Sequence, residues 1–455
     1  MRNLWLSSLV LAILCLQPTL GAEQSDTYLL QSNPKVGDAV VVSVELEVGG
    51  DLITRDEKSV ESKLPMSVAG NLSYHEQLIA SSAEIVRSLR KYYSATATIQ
   101  VDDHSVEKSL PAEQRLVAAD LREGQISLNG CERPLTREQL DLIDAVGDSL
   151  VLDQLLPGRE VAEGENWDHE NTTIGALLGM DHVAVCEVSS VIVGHSKGQV
   201  QVRLGGTVHG TIDGTTTEID LRGAYLFHQK LGRITKFNLA IKENRAAGEV
   251  VPGLDVVAKA KVVITPTETD SPFSADLIDQ VSDVSLPLRT ALLYEAQQQG
   301  FRFQHGANWY VTGEQRDLLS MRCLRDNDLI SHCNVTTLPA RSEGRGTSLE
   351  QFERDIRLSL GDSLVEVANA RQWKTPQDHD CLGVIANGKV KGVAVQWRYY
   401  LVSQADMPRV TLAVTVEQSQ LKRFDDADRE LVDSLELMPL PVAKTANADS
   451  EKSAK

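Results

Sequence analysis

The run His182–Lys242, HVAVCEVSSVIVGHSKGQVQVRLGGTVHGTIDGTTTEIDLRGAYLFHQKLGRITKFNLAIK, holds four long apolar–polar alternations separated by three short turn clusters. Period two sends successive side chains to opposite faces of a strand, so each alternation predicts a half-buried β-strand. Val183–Val193 reaches a turn at Gly194–Gly198, and Gln199–Ile212 reaches Asp213-Gly214. An Asp-Gly pair between alternating runs favours a two-residue hairpin, because both positions accept positive φ. Thr215–His228 turns near Leu231-Gly232 into Arg233–Lys242, and Leu254, Val256, Ala258, Ala260, Val262 and Ile264 continue the register. Long strands joined by short turns predict an antiparallel meander. Strands of this length twist and curl, so a curved sheet or partial barrel is expected.

Working outward towards the N-terminus, Asp38–Val48 aligns Val40, Val42, Val44, Leu46 and Val48 on one face of another strand. Helical pattern is sparse here. Thr136 and Gln139 fit a capping box that opens an amphipathic stretch through Leu140, Ile143 and Leu150, ending by Pro157-Gly158. Asn171–Leu178 is a second short helix candidate, and either could cross the concave face of the sheet. Residues 23–265 are therefore expected to form one curved antiparallel β domain. Before them, Arg2, the apolar run Leu4–Leu16 and Pro18–Ala22 have the layout of a secretory signal peptide, residues 1–22, cleaved after Gly21 or Ala22. That run is shorter than the about 20 apolar residues that span a bilayer. Leu14 before Cys15 is not the small residue that a lipid-attachment signal wants, so Cys15 is expected to leave with the signal.

Residues 266–287, rich in Thr, Ser, Asp and Pro, read as an interdomain linker. A second domain, 288–438, follows, and the polar tail 439–455 reads as disordered. Leu288–Gln299 is expected as a helix stopped by Gly300, and Trp309-Tyr310-Val311 as the first strand. A hairpin about Asp326-Asn327-Asp328 would set Cys323 and Cys333 facing each other, either as a disulfide or as two buried thiols. Thr347 and Glu350 fit a capping box before a Leu349/Phe352/Ile356/Leu360 stripe that Gly361 stops. Turns are expected at Asn387-Gly388 and Asp406–Pro408, Val410–Val416 forms the last strand, and a final helix spans Asp425–Leu437 with Asp425 as N-cap.

This order of elements in the second domain resembles the PsbP-like α/β sandwich. The likeness is carried by Asn308-Trp309-Tyr310, Phe352–Leu360, Trp397-Arg398-Tyr399-Tyr400 and Phe424-Asp425-Asp426 through Leu435. It covers roughly the last third of the chain and rests on pattern. It implies a domain that binds or organises other proteins and is no catalyst. The N-terminal part resembles uncharacterised β-rich secreted bacterial proteins. The expected fold class is mainly β plus α+β: a long-stranded curved antiparallel sheet followed by a PsbP-like domain.

Composition limits the partners. The 455 residues carry a formal net charge of -19 and 42% hydrophobic residues, enough for sizeable cores and unfavourable for nucleic acid. The best basic cluster, Arg87-Ser88-Leu89-Arg90-Lys91, reads as a solvated element edge. Five cysteines follow the signal, an odd number that leaves at least one thiol unpaired within the chain.

No motif carries chemistry convincingly. Gly194-His195-Ser196-Lys197-Gly198 matches the nucleophile-elbow pattern, but a strand rather than a helix follows it. Asp378-His379-Asp380-Cys381 groups possible metal ligands that point in different directions along an extended segment and lack a second cluster. His182 and Cys186 are too far apart for an easy chelate. Trp397 and Tyr399 share a strand face that either packs under a helix or meets a partner. No catalytic, cofactor or metal residue is therefore expected. The expected function is a noncatalytic exported envelope protein that binds or scaffolds a protein partner. A carrier of a lipid or other apolar ligand is the alternative, and an enzyme without a motif stands third. No transmembrane helix is expected in the mature chain.

Overall fold

The computed structural model describes residues 26–440, apart from 56–59, 83, 268–270, 286–287, 289–290 and 341–345. The signal segment, Cys15 and residues 441–455 of the tail lie outside the described residues. Strand β1 (Thr27–Leu30) pairs only with β8 (Arg159–Ala162). The main sheet begins with β2 (Ala39–Arg55), β3 (Glu61–Ser81) and β4 (Ile85–Val101), which follow one another as antiparallel neighbours. One edge of β4 is shared by β5 (His104–Ser109) and β6 (Leu116–Arg122), and β7 (Gln125–Gly130) ends that side.

The other side holds β9 (Asn166–Asp168), β10 (His182–Ser196), β11 (Gln199–Ile212), β12 (Thr215–His228), β13 (Arg233–Arg245) and β14 (Gly253–Pro266). From β10 to β14 the chain is the antiparallel meander that the quoted run predicts. Its turns fall where expected. Ser196 faces Gln199 around Lys197-Gly198, and Ile212 faces Thr215 around Asp213-Gly214, all four turn residues having positive φ. The Gly194–Gly198 pattern is thus a hairpin. Strand β14 then pairs with β2, fusing the two meanders into a 12-stranded sheet whose edges, β7 and β9, do not pair with each other.

The inner face of this sheet is closed by short helices. Helix α1 (Arg137–Ile143) has the complete capping box between Thr136 and Gln139. Helix α2 (Ser149–Leu152) is N-capped by Asp148, whose side chain accepts from the Leu150 amide, and α3 (Asn171–Leu178) ends at left-handed Gly179. Leu140, Ile143, Leu150, Val151, Ile174 and Leu177 join Val40, Val42 and Val44 in one core. The outer face is partly covered by α4 (Ala275–Ser282), which lies within the segment read as linker. Phe273, Leu277, Ile278 and Val281 pack there on Ile79, Leu89 and Ala118. Arg87 donates to the carbonyls of Val281 and Asp283 at the end of α4, where a helix leaves acceptors open, and Arg122 donates to that of Val284 just beyond it.

Residues 87–92 of β4 are therefore enclosed on both faces, which corrects the reading of Arg87–Lys91 as a solvated edge. Arg87 and Arg90 are each 1% exposed. Arg87 pairs with Asp120 at 3.0 Å. Arg90 reaches Glu76 at 2.8 Å and clamps both oxygens of Asp148 at 2.7 Å. Buried charges persist only when paired and hydrogen-bonded, and here the pairing ties the sheet to the N-cap of α2.

In the second part, β15 (Ala291–Ala296), β16 (Phe301–Gly306) and β24 (Glu436–Leu437) form a small sheet. A seven-stranded sheet runs β17–β18–β19–β23–β22–β21–β20. Its members are β17 (Trp309–Glu314), β18 (Leu318–Arg325), β19 (Asp328–Leu338), β20 (Leu364–Lys374), β21 (Asp380–Val390), β22 (Val393–Ser403) and β23 (Arg409–Glu417). Helix α5 (Leu349–Leu360) covers one face, while α6 (Leu421–Phe424), α7 (Ala427–Asp433) and the small sheet supply Phe424, Leu431, Phe301 and Phe303 to the core on the other.

Four local expectations shift here. The described residues of Leu288–Gln299 form no helix: Ala291–Ala296 is β15, which pairs with Phe301–Gly306. The α5 cap is Ser348, accepting from the Gln351 amide, one residue after the expected Thr347. Strand β21 runs through Asn387-Gly388, and the turn is Lys391-Gly392 with Val390 facing Val393. Gly388 is needed for packing instead, since a Cβ there would meet the Trp397 ring at 2.5 Å. The final helix is shortened because Asp425 and Asp426 both take left-handed φ and Glu436–Leu437 becomes a strand.

Candidate functional site

An apolar pocket lies between the inner face of β2–β5 and helix α1. Its walls are Val44 and Leu46 from β2, Val68, Gly70 and Leu72 from β3, and Ala97 and Ile99 from β4. Leu142 and Ala145 close it from the helix side, around a cavity of about 330 Å³. The geometry follows from two periodicities. Residues 44/46, 68/70/72 and 97/99 share a strand face at period two, while Glu138, Asp141 and Leu142 form one stripe at helical spacing and Ala145 follows just past the helix end. The opposite side of α1 sends Leu140 and Ile143 into the core, so the helix is anchored and still leaves the pocket unfilled.

Polar groups stand only at the rim. Lys108 on β5 pairs with Glu138 on α1 at 2.7 Å, and both side chains reach solvent. Asp141 lies one turn further along and also lines a second cavity, of about 520 Å³, on the other side of α1.

That second cavity is polar and sits where the two parts of the chain meet. Asp141, Asp144, Asp181, Asp213 and Glu243 line it with Arg137, Arg245 and Tyr310. Arg137 stacks over the Tyr310 ring at 4.6 Å and donates to the Ala307 carbonyl. The Tyr310 hydroxyl donates to Asp213 at 2.6 Å. Water reaches Asp141 and Asp144 through the cavity, yet the surrounding protein solvates their carboxylates poorly. Burial, with repulsion from neighbouring acids, pushes each of their pKa values up to about 6. Asp181 is raised for the same reasons, while burial and Asp213 push the Tyr310 hydroxyl up.

A third opening, about 1180 Å³, is a trough on the outer face of β10–β14 and β2. Glu45, Glu47 and Asp220 alternate there with Arg203, Arg222, Lys259 and Lys261, and Lys261 pairs with Glu45 at 2.8 Å. These charges largely answer one another, so the trough offers neither an apolar wall nor a single-sign field.

The residues singled out from sequence do not converge on a site. Cys323 and Cys333 are buried free thiols in the core of the second part, opposite Ser331 and Met321 respectively. Burial pushes the Cys323 thiol up to about 12 and Cys333 higher still. Trp397 and Tyr399 meet Leu360 and Leu364 beneath α5, so the aromatic face is occupied by the protein's own helix, with Trp397 buried and Tyr399 half-buried. His379 accepts from the Leu437 amide, Asp380 pairs with Lys374, and Cys381 is buried. Among the described residues no group of three or more His, Cys, Asp or Glu side chains is arranged to hold a metal ion.

The pocket itself escaped the sequence reading. Its strand residues carry a visible alternation, but nothing local says that α1 stops short of filling the space above them. Among the described residues, no helix is long and apolar enough to cross a membrane.

No protein-family model matches the chain, and no curated protein matches it. Among solved structures, the chain is similar to the solution structure of cyanobacterial PsbP from Synechocystis, with 14% identity and a TM-score of 0.27, over 33% of this chain and 95% of that one. It is also similar to a crystal structure from Bacteroides thetaiotaomicron, with 11% identity and a TM-score of 0.25, over 32% of this chain and 48% of that one. A Pseudomonas aeruginosa protein of unknown function matches at 8% identity and a TM-score of 0.21, over 33% of this chain and 98% of that one. The chain thus spans about half of the Bacteroides protein.

Proposed function

We propose that this chain is an exported, noncatalytic protein of the cell envelope, and that its curved sheet carries an apolar ligand against helix α1. The observation that supports this reading is the dry-walled cavity of about 330 Å³ between β2–β5 and α1. Its size is at the lower end of ordinary ligand pockets, and its polar groups are confined to the mouth. A space of that volume has room for roughly ten groups the size of a water molecule or a methylene. At about 0.8 kcal/mol per buried methylene, such a chain would gain about 8 kcal/mol before the costs of association are subtracted. The apolar start of the sequence supports export.

Native mass spectrometry of protein taken from its own envelope tests the reading. A small-molecule adduct that disappears in Gly70→Leu, which fills the pocket from its floor, is the expected result. A clean apo mass for the wild type would count against a carrier.

A scaffolding role is the second reading. Strand β20 is an edge of the seven-stranded sheet, and Val365 on it and Leu358 on α5 are exposed apolar residues. An unpaired edge can accept a strand from another chain. Crosslinking in the native envelope should then recover one stable neighbour through residues 358–374, and repeated failure would remove this reading.

A further inference from the structure

The rim of the apolar pocket carries more information than its walls. It presents one ammonium, Lys108, facing two carboxylates, Glu138 and Asp141, set one helical turn apart on α1. Arg137, the neighbouring cation on α1, is engaged elsewhere, stacked on Tyr310 and donating to the Ala307 carbonyl. The Lys108–Glu138 pair is solvent-exposed, and an exposed pair of this kind contributes little and is easily exchanged for other partners. A purely anionic head would meet Lys108 but be repelled by two acids, in a protein that already carries a net charge of -19. A purely cationic head would leave Lys108 against it. A head with both signs satisfies all three groups at once.

We infer that the pocket takes a single-chain amphiphile with a zwitterionic phosphate–amine head, its tail between β2–β5 and α1, its phosphate on Lys108 and its amine between Glu138 and Asp141. This rests on the carrier reading and adds the identity of the ligand class. Charge-assisted contacts of this kind are short and strong compared with neutral ones, so head chemistry should be felt in affinity.

Titration calorimetry on the full mature chain, with twelve-carbon ligands below their micelle concentrations, separates the possibilities. Dodecyl phosphoethanolamine should bind roughly ten-fold more tightly than dodecanoate and dodecylamine. Lys108→Met should abolish its advantage over the amine, and Glu138→Gln with Asp141→Asn its advantage over the carboxylate. Circular dichroism of each variant verifies that the fold is kept. Equal affinity for the three heads, or tighter binding of either singly charged one, overturns the head assignment and leaves the carrier reading standing. Absence of binding by all three overturns both.

Discussion

Arg90 shows how one side chain can organise a fold without being legible as important. It sits in a run of basic residues that composition alone would send to the surface, yet it is enclosed between Glu76, Asp148, the Ser149 hydroxyl and the Tyr74 ring. Removing it would strand two carboxylates away from water. Arg90→Met is therefore expected to lower the unfolding free energy by about 3–5 kcal/mol, as for other broken buried pairs. Urea unfolding measures this, and a loss below about 1 kcal/mol would show that the acids find solvent. Asp144 makes the opposite case. Its pKa is raised to about 6 in the folded chain, against about 3.9 when unfolded. The folded state then binds more protons between those values, so this residue's contribution to stability falls as pH rises from about 4 through about 6. Asp144→Asn should consequently raise the melting temperature at pH 7.5 by about 1–3 °C and change little at pH 4. An equal shift at both pH values would refute the assignment. The cysteines offer a simpler check: burial raises the five described thiols, so in native protein at pH 8 these should react slowly with a thiol reagent, and in denatured protein fully.

Among the elements, α1 bears most of the functional argument. Seven residues make a marginal helix on their own, and this one persists because of its capping box, its two core anchors and the rim pair with Lys108. Thr136→Ala should cost about 1 kcal/mol and loosen the wall of the apolar pocket. Hydrogen exchange reads this as faster exchange in residues 137–143 with the rest of the sheet unchanged, and uniform acceleration would mean that the cap supports the fold as a whole. Local signals read such elements unequally. The capping box of α1, the Asp213-Gly214 turn and the Asn171–Leu178 helix were all visible, because their chemistry is complete within a few residues. Leu288–Gln299 misled because its apolar residues suit either a helix or a strand, and the neighbouring strand Phe301–Gly306 decided between them. Asn387-Gly388 misled because glycine served a neighbour's ring, not a turn.

On the scale of the whole molecule, the two parts meet around the polar cavity. Arg137 of α1 and Asp213 of the β11–β12 turn converge on Tyr310 of the second part, and Leu135 bridges to Leu292 beside them. Arg137→Ala should therefore speed amide exchange in both 137–143 and 309–314, with a smaller effect from Tyr310→Phe, which keeps the ring. Unchanged exchange in 309–314 would mean that the joint is held elsewhere. The division between what was readable and what was not follows a physical line. Alternation and turn chemistry are local, so the sequence by itself determined a long-stranded antiparallel sheet and a mixed second part. The β14–β2 pairing, the open edges at β7 and β9, and the helices laid across the inner face depend on contacts between distant residues. So do the burial of Arg90 and the space left under α1, because a cavity is defined by what neighbouring elements fail to fill. Only the tertiary structure decided those.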